Sequence, residues 1–523
     1  MRRAITLFAA AALLAALVVA PAGAASPSRG YLIGSIAPLT AGQVGQLRAA
    51  GATVKYVYEN FGGAAAVIPD PKVEAVRALP FVTSVNEDTV KQPDAVRVAG
   101  SAQAPAANSS ALPGTPYWLD LIDWENKGTF TGDGVWVAVL DTGFFPNWRD
   151  YFDPNRILTD KARAFIAAGG NENLNQWDVG SDPHGMATAA TIVGYSFADD
   201  TNEGGWGTGY ATGAAGTYSV PGVAPGAQVI PIKVCEPIGC FGSAINAAMD
   251  YVTSLKLDDP SQPIVINESL GGPGLDPVEK AAIDAATAAG VIIVASAGNS
   301  GNAGMGFPAA YEPVISVGAG GWKSQWNGYP DKTWWLDPVP EGASDDTEVD
   351  NEVFVVDFSS RQKSGQYLDV VSTGRFLLLP YPCAQLYKDG AVSNATLHKM
   401  CASKATPDNT SALFQYLFMS GTSFSAPTIA GVAALMLDKN GSLNNDDATF
   451  GTLGNPSSWG PGSFELLLEG SAESIEPSSV VVTHRTGVPD PECWETGATD
   501  CTLEATGYGW VFVDNALAAV PVP

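Results

Sequence analysis

Three polar residues of this chain could together carry out nucleophilic chemistry. Asp141 ends the apolar run VWVAVLD, His184 opens the helix-like segment HGMATAATIVG, and Ser423 lies where the turn-forming MSGT meets an apolar run. A serine hydroxyl is a poor nucleophile until a neighbouring base accepts its proton, and histidine titrates in the right range to do so near neutral pH. An aspartate on the other imidazole nitrogen would fix the tautomer and stabilise the imidazolium. The residue types therefore indicate acyl transfer, in the chain order Asp, His, Ser.

Each of the three residues also has an ordinary interpretation when it is taken alone. An Asp-Thr-Gly after a strand is compatible with a turn or with a nucleotide or metal site, and a single histidine is more often structural. A serine at the mouth of a helix is commonly its N-cap. The chain has only three histidines, and His398 and His484 lie in irregular, polar sequence. His184 is therefore the one histidine that opens a predicted helix, and it is the candidate for the base.

The segments around these residues predict an α/β domain. Short, nearly continuous apolar runs alternate with helix-like stretches; the runs are VWVAVLD, QVIPIKV, PIVINESL, VIIVASAG and VISVGA. Strands that are buried on both faces have this appearance, since helices cover both sides of a parallel sheet. We expect a doubly wound, mostly parallel sheet with helices on both faces. Reactive groups gather in such folds where strands end and helices begin.

The chain divides into four parts. Residues 1–24 have two arginines, an apolar run and a small-residue cleavage site, which is typical of a secretory signal peptide. Residues 28–91 show the order β-α-β-β-α-β of a small ferredoxin-like α+β module. Residues 92–112 are rich in Ala, Ser and Pro and are interpreted as a linker with a processing site. Residues 113–523 form the α/β domain.

Composition limits the classes of partner. The formal net charge is -27, so the surface repels nucleic acid and anionic membranes. The six cysteines of an exported chain are expected to form disulfides. They fall into three close couples, Cys235 with Cys240, Cys383 with Cys401, and Cys493 with Cys501, although six cysteines allow fifteen connectivities.

The ordered motifs resemble those of the subtilisin-like serine peptidases, the subtilase family. AVLDTG is similar to the family's Asp motif, HGMATAA to its His motif and GTSFSAP to its Ser motif, and around them VAPGAQVIPIKV, NESLGG, SAGN and YGWVFVDNALAA lie in the expected order. The resemblance implies a subtilisin-like fold with Asp141, His184 and Ser423 as the triad. The module of residues 28–91 is similar to the family's inhibitory and folding-assisting propeptide.

The resemblance also implies roles for further residues. Asn299 and the backbone N–H of Ser423 would hold the oxyanion, for which a helix N-terminus is suited. Two segments, SLGG and GCFG, would form opposite edges of the cleft and pair with an extended substrate; the residues concerned are Ser269, Leu270, Gly271, Gly239 and Gly242. No cofactor would be required for the chemistry, whereas structural calcium is implied without any ligand set.

The function that follows is a secreted, monomeric serine endopeptidase acting on proteins and peptides. It would be made as a precursor, process itself and be inhibited by its own propeptide, with no nucleic acid partner and no membrane attachment after signal removal. One alternative is a catalytically inactive subtilisin-like binding scaffold. A second is a relative that uses an acidic residue as its base, as in the serine-carboxyl peptidases.

The sequence departs from the family pattern at several positions. After His184 and Gly185 the family usually has Thr and then His or Arg, whereas this chain has Met186 and Ala187, and Glu268 stands at a commonly apolar position. These departures leave the triad intact but bear on the packing of the His184 helix and on the shape of the cleft. Residues 321–352, with four tryptophans and an acidic cluster, are expected to be a long insertion.

Overall fold

The computed structural model of the protein describes residues 28–93, 115–168, 175–180, 182–198, 217–322, 353–380, 416–444, 463–475 and 505–521. The signal peptide, the linker after Pro93, most of the insertion 321–352 and the couples Cys383 with Cys401 and Cys493 with Cys501 lie outside the described residues. None of the helices in the described ranges combines the length and the apolarity needed to cross a bilayer.

Twenty strands and nine α-helices run through these ranges. The strands are β1 Ser28–Ser35, β2 Thr53–Val57, β3 Gly63–Pro69, β4 Val82–Glu87, β5 Val90–Pro93, β6 Trp136–Asp141, β7 Arg163–Ala164, β8 Tyr195–Ala198, β9 Thr217–Val220, β10 Gln228–Lys233, β11 Cys235–Glu236, β12 Gly239–Phe241, β13 Ile264–Glu268, β14 Leu270–Gly271, β15 Ile292–Ser296, β16 Ile315–Trp322, β17 Val353–Val355, β18 Val370–Thr373, β19 Leu377–Pro380 and β20 Tyr416–Met419. The helices are α1 Ala41–Ala49, α2 Val73–Arg77, α3 Tyr117–Asp120, α4 His184–Val193, α5 Gly242–Asp258, α6 Pro277–Ala288, α7 Thr422–Lys439, α8 Phe464–Ser471 and α9 Val513–Ala519.

The α/β domain is built on one large sheet. Its strand order is β17-β16-β15-β13-β6-β10-β7, with β18 also paired to β16. All of these pairs are parallel except that between β16 and β17. The five apolar runs of the sequence are five consecutive strands of this sheet, β16, β15, β13, β6 and β10. Each of these strands is covered on both faces, so nearly all of its side chains are apolar. The expected doubly wound, mostly parallel sheet is therefore the fold of this domain.

The two faces of the sheet carry separate cores. Val137 and Val139 of β6 belong to a cluster that includes the residues of α4 and α7, whereas Ala138 and Leu140 belong to a second cluster with α5 and α6. Successive side chains of a strand point to opposite faces, which explains this alternation. The triad candidates lie at the ends of elements from the first layer.

The N-terminal module forms a four-stranded antiparallel sheet in the order β2-β3-β1-β4, with its own small core. The element order is the β-α-β-β-α-β expected from the sequence. The other face of the module packs on the α/β domain, since Leu32, Tyr58, Phe61 and Ala65 lie in the same buried cluster as the residues of α5 and α6. The module therefore shares part of its hydrophobic core with the larger domain.

Polar contacts fix the module on α5. Asp88 accepts from the backbone N–H of Ser243 at 2.9 Å and from its hydroxyl at 2.5 Å, at the first turn of α5. Asp250 of α5 accepts from the backbone N–H groups of Glu59 and Asn60 at 2.8 and 2.9 Å. Asp88 thus accepts from an N–H group in the first turn of α5, where N–H groups have no partner within the helix, as a capping side chain does.

Candidate active site

Asp141 and His184 are held together at the carboxyl end of β6. Both oxygens of Asp141 lie within hydrogen-bond distance of His184 Nδ1, at 2.8 and 2.9 Å, and both side chains are buried. The backbone N–H of Thr142 donates to Asp141 Oδ1 at 2.6 Å, which orients the carboxylate. His184 is the first residue of α4, and its backbone N–H donates to Asp182 Oδ1 at 2.9 Å. This geometry leaves Nε2 as the imidazole nitrogen for a second function.

Ser423 lies one residue inside α7, which begins at Thr422 with Gly421 as its N-cap. The Ser423 hydroxyl donates to the carbonyl of Ser269 at 3.2 Å, so it does not cap the helix as a lone serine would. The hydroxyl of Ser269 returns a bond to the carbonyl of Ser423 at 2.9 Å. The imidazole of His184 packs on Phe424, the residue after Ser423, with 5.7 Å between ring centroids. The structure thus brings the histidine and the serine to the same helix mouth.

Asn299 follows β15 and faces the same end of α7. Its Oδ1 accepts from the backbone N–H and from the hydroxyl of Thr422, both at 3.0 Å, which turns Nδ2 away from these donors. An ideal Cβ placed on Gly421 would lie 3.4 Å from Asn299 Nδ2 and 3.7 Å from Ser423 N. The two predicted oxyanion donors therefore border one space beside Gly421.

Two threonines that no sequence pattern singled out position the site. Thr142 Oγ1 accepts from Gly185 N and donates to the carbonyl of Asp182, both at 2.9 Å, which joins the end of β6 to the start of α4. Thr422 Oγ1 clamps Asn299 as described above. Each threonine is adjacent in sequence to a triad candidate. That position was the signal that could have identified them, because a hydroxyl next to a buried site must be paired.

The predicted substrate-binding segments flank strand β5. Leu270 and Gly271 of β14 pair with Pro93 and Gln92, and Cys240 and Phe241 of β12 pair with Lys91 and Val90. Both pairings are antiparallel. Gly242 N donates to the carbonyl of Thr89 at 2.8 Å, and Gly239 adjoins the same edge of β5. Ser269 precedes β14 and bonds to Ser423. Strand β5 therefore lies in the cleft and is paired with both of its edges. Its last two residues, Gln92 and Pro93, belong to the predicted linker.

The departures around His184 fit the packing of α4. Met186 and Ala187 are fully buried, and Met186 Sδ accepts from the backbone N–H of Phe145 at 3.4 Å. Burial raises the pKa of Asp182, and the nearby His184 opposes that rise. A disulfide joins Cys235 and Cys240 across the β11–β12 hairpin, which is the first of the three couples expected from spacing.

Comparisons with known proteins show to which family the chain belongs. The family model described as the Subtilase family (Peptidase S8) matches residues 132–454. Subtilisin DY of Bacillus licheniformis is 30% identical over 305 residues, which are 55% of this chain and 84% of that protein. Serine protease AprX of Bacillus subtilis is 27% identical over 337 residues, which are 62% of this chain and 61% of that protein.

A solved structure is similar over most of the chain. The crystal structure of fervidolysin from Fervidobacterium pennivorans, titled a keratinolytic enzyme related to subtilisin, aligns with a TM-score of 0.56 and 19% identity. The alignment covers 95% of this chain and 62% of fervidolysin, so this chain spans less than two thirds of that protein. At this identity the likeness concerns the fold. The family match covers more than half of the chain, and the chain belongs to the subtilase family of serine peptidases.

Proposed function

We propose that this chain is a secreted serine endopeptidase, made as a precursor that processes itself and whose N-terminal module, residues 28–91, blocks the cleft until it is removed. The observation that carries the proposal is the buried Asp141–His184 pair at the sheet edge where Ser423 and an edge-bound peptide strand also lie. Secretion rests on the signal-like sequence of residues 1–24 alone.

The proposed chemistry begins with attack by the Ser423 hydroxyl oxygen on the carbonyl carbon of a peptide bond. The hydroxyl proton passes to His184 Nε2, and because the hydroxyl donates to Ser269, its hydrogen first turns toward the imidazole. Asp141 holds the imidazolium through Nδ1. Support for this assignment comes from the two short contacts between Asp141 and Nδ1.

The oxygen of the attacked carbonyl becomes negatively charged, and Asn299 Nδ2 and Ser423 N–H would donate to it. Donors that are held in place before the reaction act without reorganisation, and Thr422 holds Asn299 in this way. When the C–N bond breaks, His184 returns its proton to the departing amine and an ester remains on Ser423. Water then attacks the ester by the same proton path, which releases the acid and restores the serine.

Inhibition by the N-terminal module follows from the position of β5. This strand pairs with both edges that an extended substrate would use, so a protein substrate cannot bind while it stays. The module remains attached through its shared core with α5 and α6. Cutting one bond would not by itself release it, and inhibition should outlast the cleavage.

Structural calcium is the one ion that the family resemblance implies, and one group of described side chains fits it. Asp369, Glu465 and Glu469 are buried, and each offers a carboxylate oxygen within 4.8 Å of the others. Glu469 Oε2 is buried without a hydrogen-bond partner, and calcium takes oxygen ligands. These three residues would hold the ion, which would stabilise the α8 side of the domain and take no part in catalysis.

The test compares the wild-type precursor with Ser423→Ala by intact mass and by labelling with a fluorophosphonate at neutral pH. The wild type should lose about its first hundred residues and take up one label, whereas the variant should stay intact after signal removal and take up none. A folded wild type that neither matures nor labels would leave the inactive binding scaffold as the better interpretation. Labelling restricted to acid pH would favour the relative with an acidic base.

A further inference from the structure

Lys91 of β5 is buried in an acidic pocket beside the cleft. Its side chain and that of Glu279 are each 1% exposed, and the Lys91 ammonium forms an ion pair with Glu279. The same ammonium donates to the carbonyl of Phe307 at 2.8 Å. Lysine is among the residues that are almost never fully buried unless paired. This pocket is therefore shaped and charged for one ammonium group.

A second carboxylate lies in the same pocket. Glu268, the last residue of β13, is fully buried, and neither of its oxygens has a hydrogen-bond partner within the described residues. Burial raises the pKa of Glu268 to about 8, while the positive charge of Lys91 opposes that rise. Without a cation here, Glu279 would be buried beside a second acidic side chain with no compensating charge.

The backbone around the pocket is fixed independently of Lys91. Gly272 N donates to the carbonyl of Phe307 at 3.0 Å, and Phe307 N donates back to Gly272 at 2.8 Å. A Cβ on Gly272 would lie 3.0 Å from Lys91 Cγ, so the glycine leaves just enough room for the lysine stem. The Phe307 carbonyl is thus preset as one ligand of the ammonium.

The pairing of β5 relates this pocket to the bond that is cut. Pro93 pairs with Leu270 and Gln92 with Gly271, and Ser269, the next residue of this edge, accepts the Ser423 hydroxyl. A substrate strand in the same register has the residue opposite Ser269 next to the nucleophile. Counting back three residues from that point reaches the place that Lys91 occupies. The pocket therefore receives the fourth residue on the N-terminal side of the cleaved bond.

We propose that this pocket makes the enzyme selective for lysine at the fourth residue before the cleaved bond, with Glu279 as the specificity-determining residue and Glu268 as a second acidic side chain beside it. This inference rests on the proposed peptidase function. The ammonium contacts one carboxylate and one carbonyl in a closed space, which suits a compact point charge. Lys91 itself is the internal example of the preferred side chain.

The experiment uses two peptides that differ only at the fourth residue before the cleaved bond, lysine in one and norleucine in the other. Norleucine keeps the four-carbon stem and lacks the amino group. With the matured wild type, kcat/KM should be at least about tenfold higher for the lysine peptide, since a buried charge-assisted hydrogen bond contributes at least that factor. In Glu279→Leu the ratio should fall to one or below. Asp284→Asn on the same helix is the control and should keep the wild-type ratio.

Glu279→Leu by itself leaves Lys91 buried without its partner in the precursor and can therefore impair maturation. The double variant Lys91→Leu, Glu279→Leu replaces the pair by two apolar side chains and supplies the same mature pocket. Equal kcat/KM for the two peptides with the wild type would overturn the selectivity while leaving the peptidase function intact. No cleavage of either peptide and no fluorophosphonate label would instead reject the peptidase function.

Discussion

Two buried acidic side chains of this protein, Asp141 and Glu279, are paired in different ways. Asp141 has its partners within its own domain, since Thr142 N and His184 Nδ1 bind its oxygens. Glu279 is paired with Lys91, which belongs to the N-terminal module. Burying a charge requires a partner wherever it occurs. When that partner is supplied by another folded unit, the pocket must be able to accept a partner from outside, and this is the property expected of a substrate pocket.

The largest effect should come from changing Asp141, whose partners lie in its own domain. Asp141→Asn keeps the shape of the side chain but presents an amide that can hold the wrong imidazole tautomer, and kcat should fall by about 10⁴-fold. Peptide hydrolysis at substrate saturation measures this. Asp182→Asn is the control, since its amide oxygen can still accept from His184 N and the loss should stay below about tenfold. Equal losses in both variants would show that Asp141 has no special role.

Breaking the ion pair between Lys91 of the module and Glu279 of the α/β domain should lower the stability of the precursor. In the inactive Ser423→Ala precursor, Lys91→Leu leaves Glu279 buried without its partner, and the free energy of unfolding should fall by about 3–5 kcal/mol. Denaturation in urea measures the change. Adding Glu279→Leu should recover most of the loss, because no charge is then left unpaired. A single variant that unfolds within about 1 kcal/mol of its parent would contradict the burial of this pair.

The third prediction concerns turnover and removes Asn299, the proposed oxyanion donor. Asn299→Ala should lower kcat by about 10²–10³-fold with little change in KM, because the donor acts on charge that develops in the transition state. That range comes from the equivalent donor in subtilisin, to whose family this chain belongs. Asn302→Ala, an exposed asparagine three residues further, is the control and should change kcat by less than about twofold. A large rise in KM with unchanged kcat would assign Asn299 to substrate binding instead.

The smallest effect per step of the measurement, here one pH unit, concerns the pH dependence of stability. Glu268 faces Lys91 and Glu279, and its pKa in the folded precursor is raised to about 8. A raised carboxyl pKa gives stability that is complete below the unfolded value and is lost as the pH rises through the folded value. Relative to Ser423→Ala, the variant Ser423→Ala, Glu268→Gln should therefore gain up to about 1.4 kcal/mol per pH unit between pH 5 and 8. Parallel unfolding curves across this range would contradict the shift.

Much of the fold was readable from local patterns. The apolar runs predicted the parallel strands, and the element order predicted the N-terminal module, because both signals depend on residues close together in the chain. The triad candidates were likewise found by their positions at the ends of predicted strands and starts of predicted helices. Their roles remain proposals, although their predicted positions meet at one helix mouth.

Other features depend on long-range register and were not predicted. Ser423 is not the helix N-cap, because α7 begins one residue earlier and the hydroxyl binds Ser269 across the cleft. Glu268 was noted only as a departure from the family pattern. Its meaning appeared when the fold placed Lys91, Glu279 and the Phe307 carbonyl around it.

The sequence by itself determined the elements and the chemistry that the chain could attempt, since periodicity, strand ends and helix starts are local properties. The tertiary structure decided which strand fills the cleft, which lysine is buried and which carboxylate neutralises it. These outcomes depend on contacts between residues nearly two hundred positions apart, such as Lys91 and Glu279. A charge in the sequence shows that a partner is needed, and only the packed fold shows where that partner comes from.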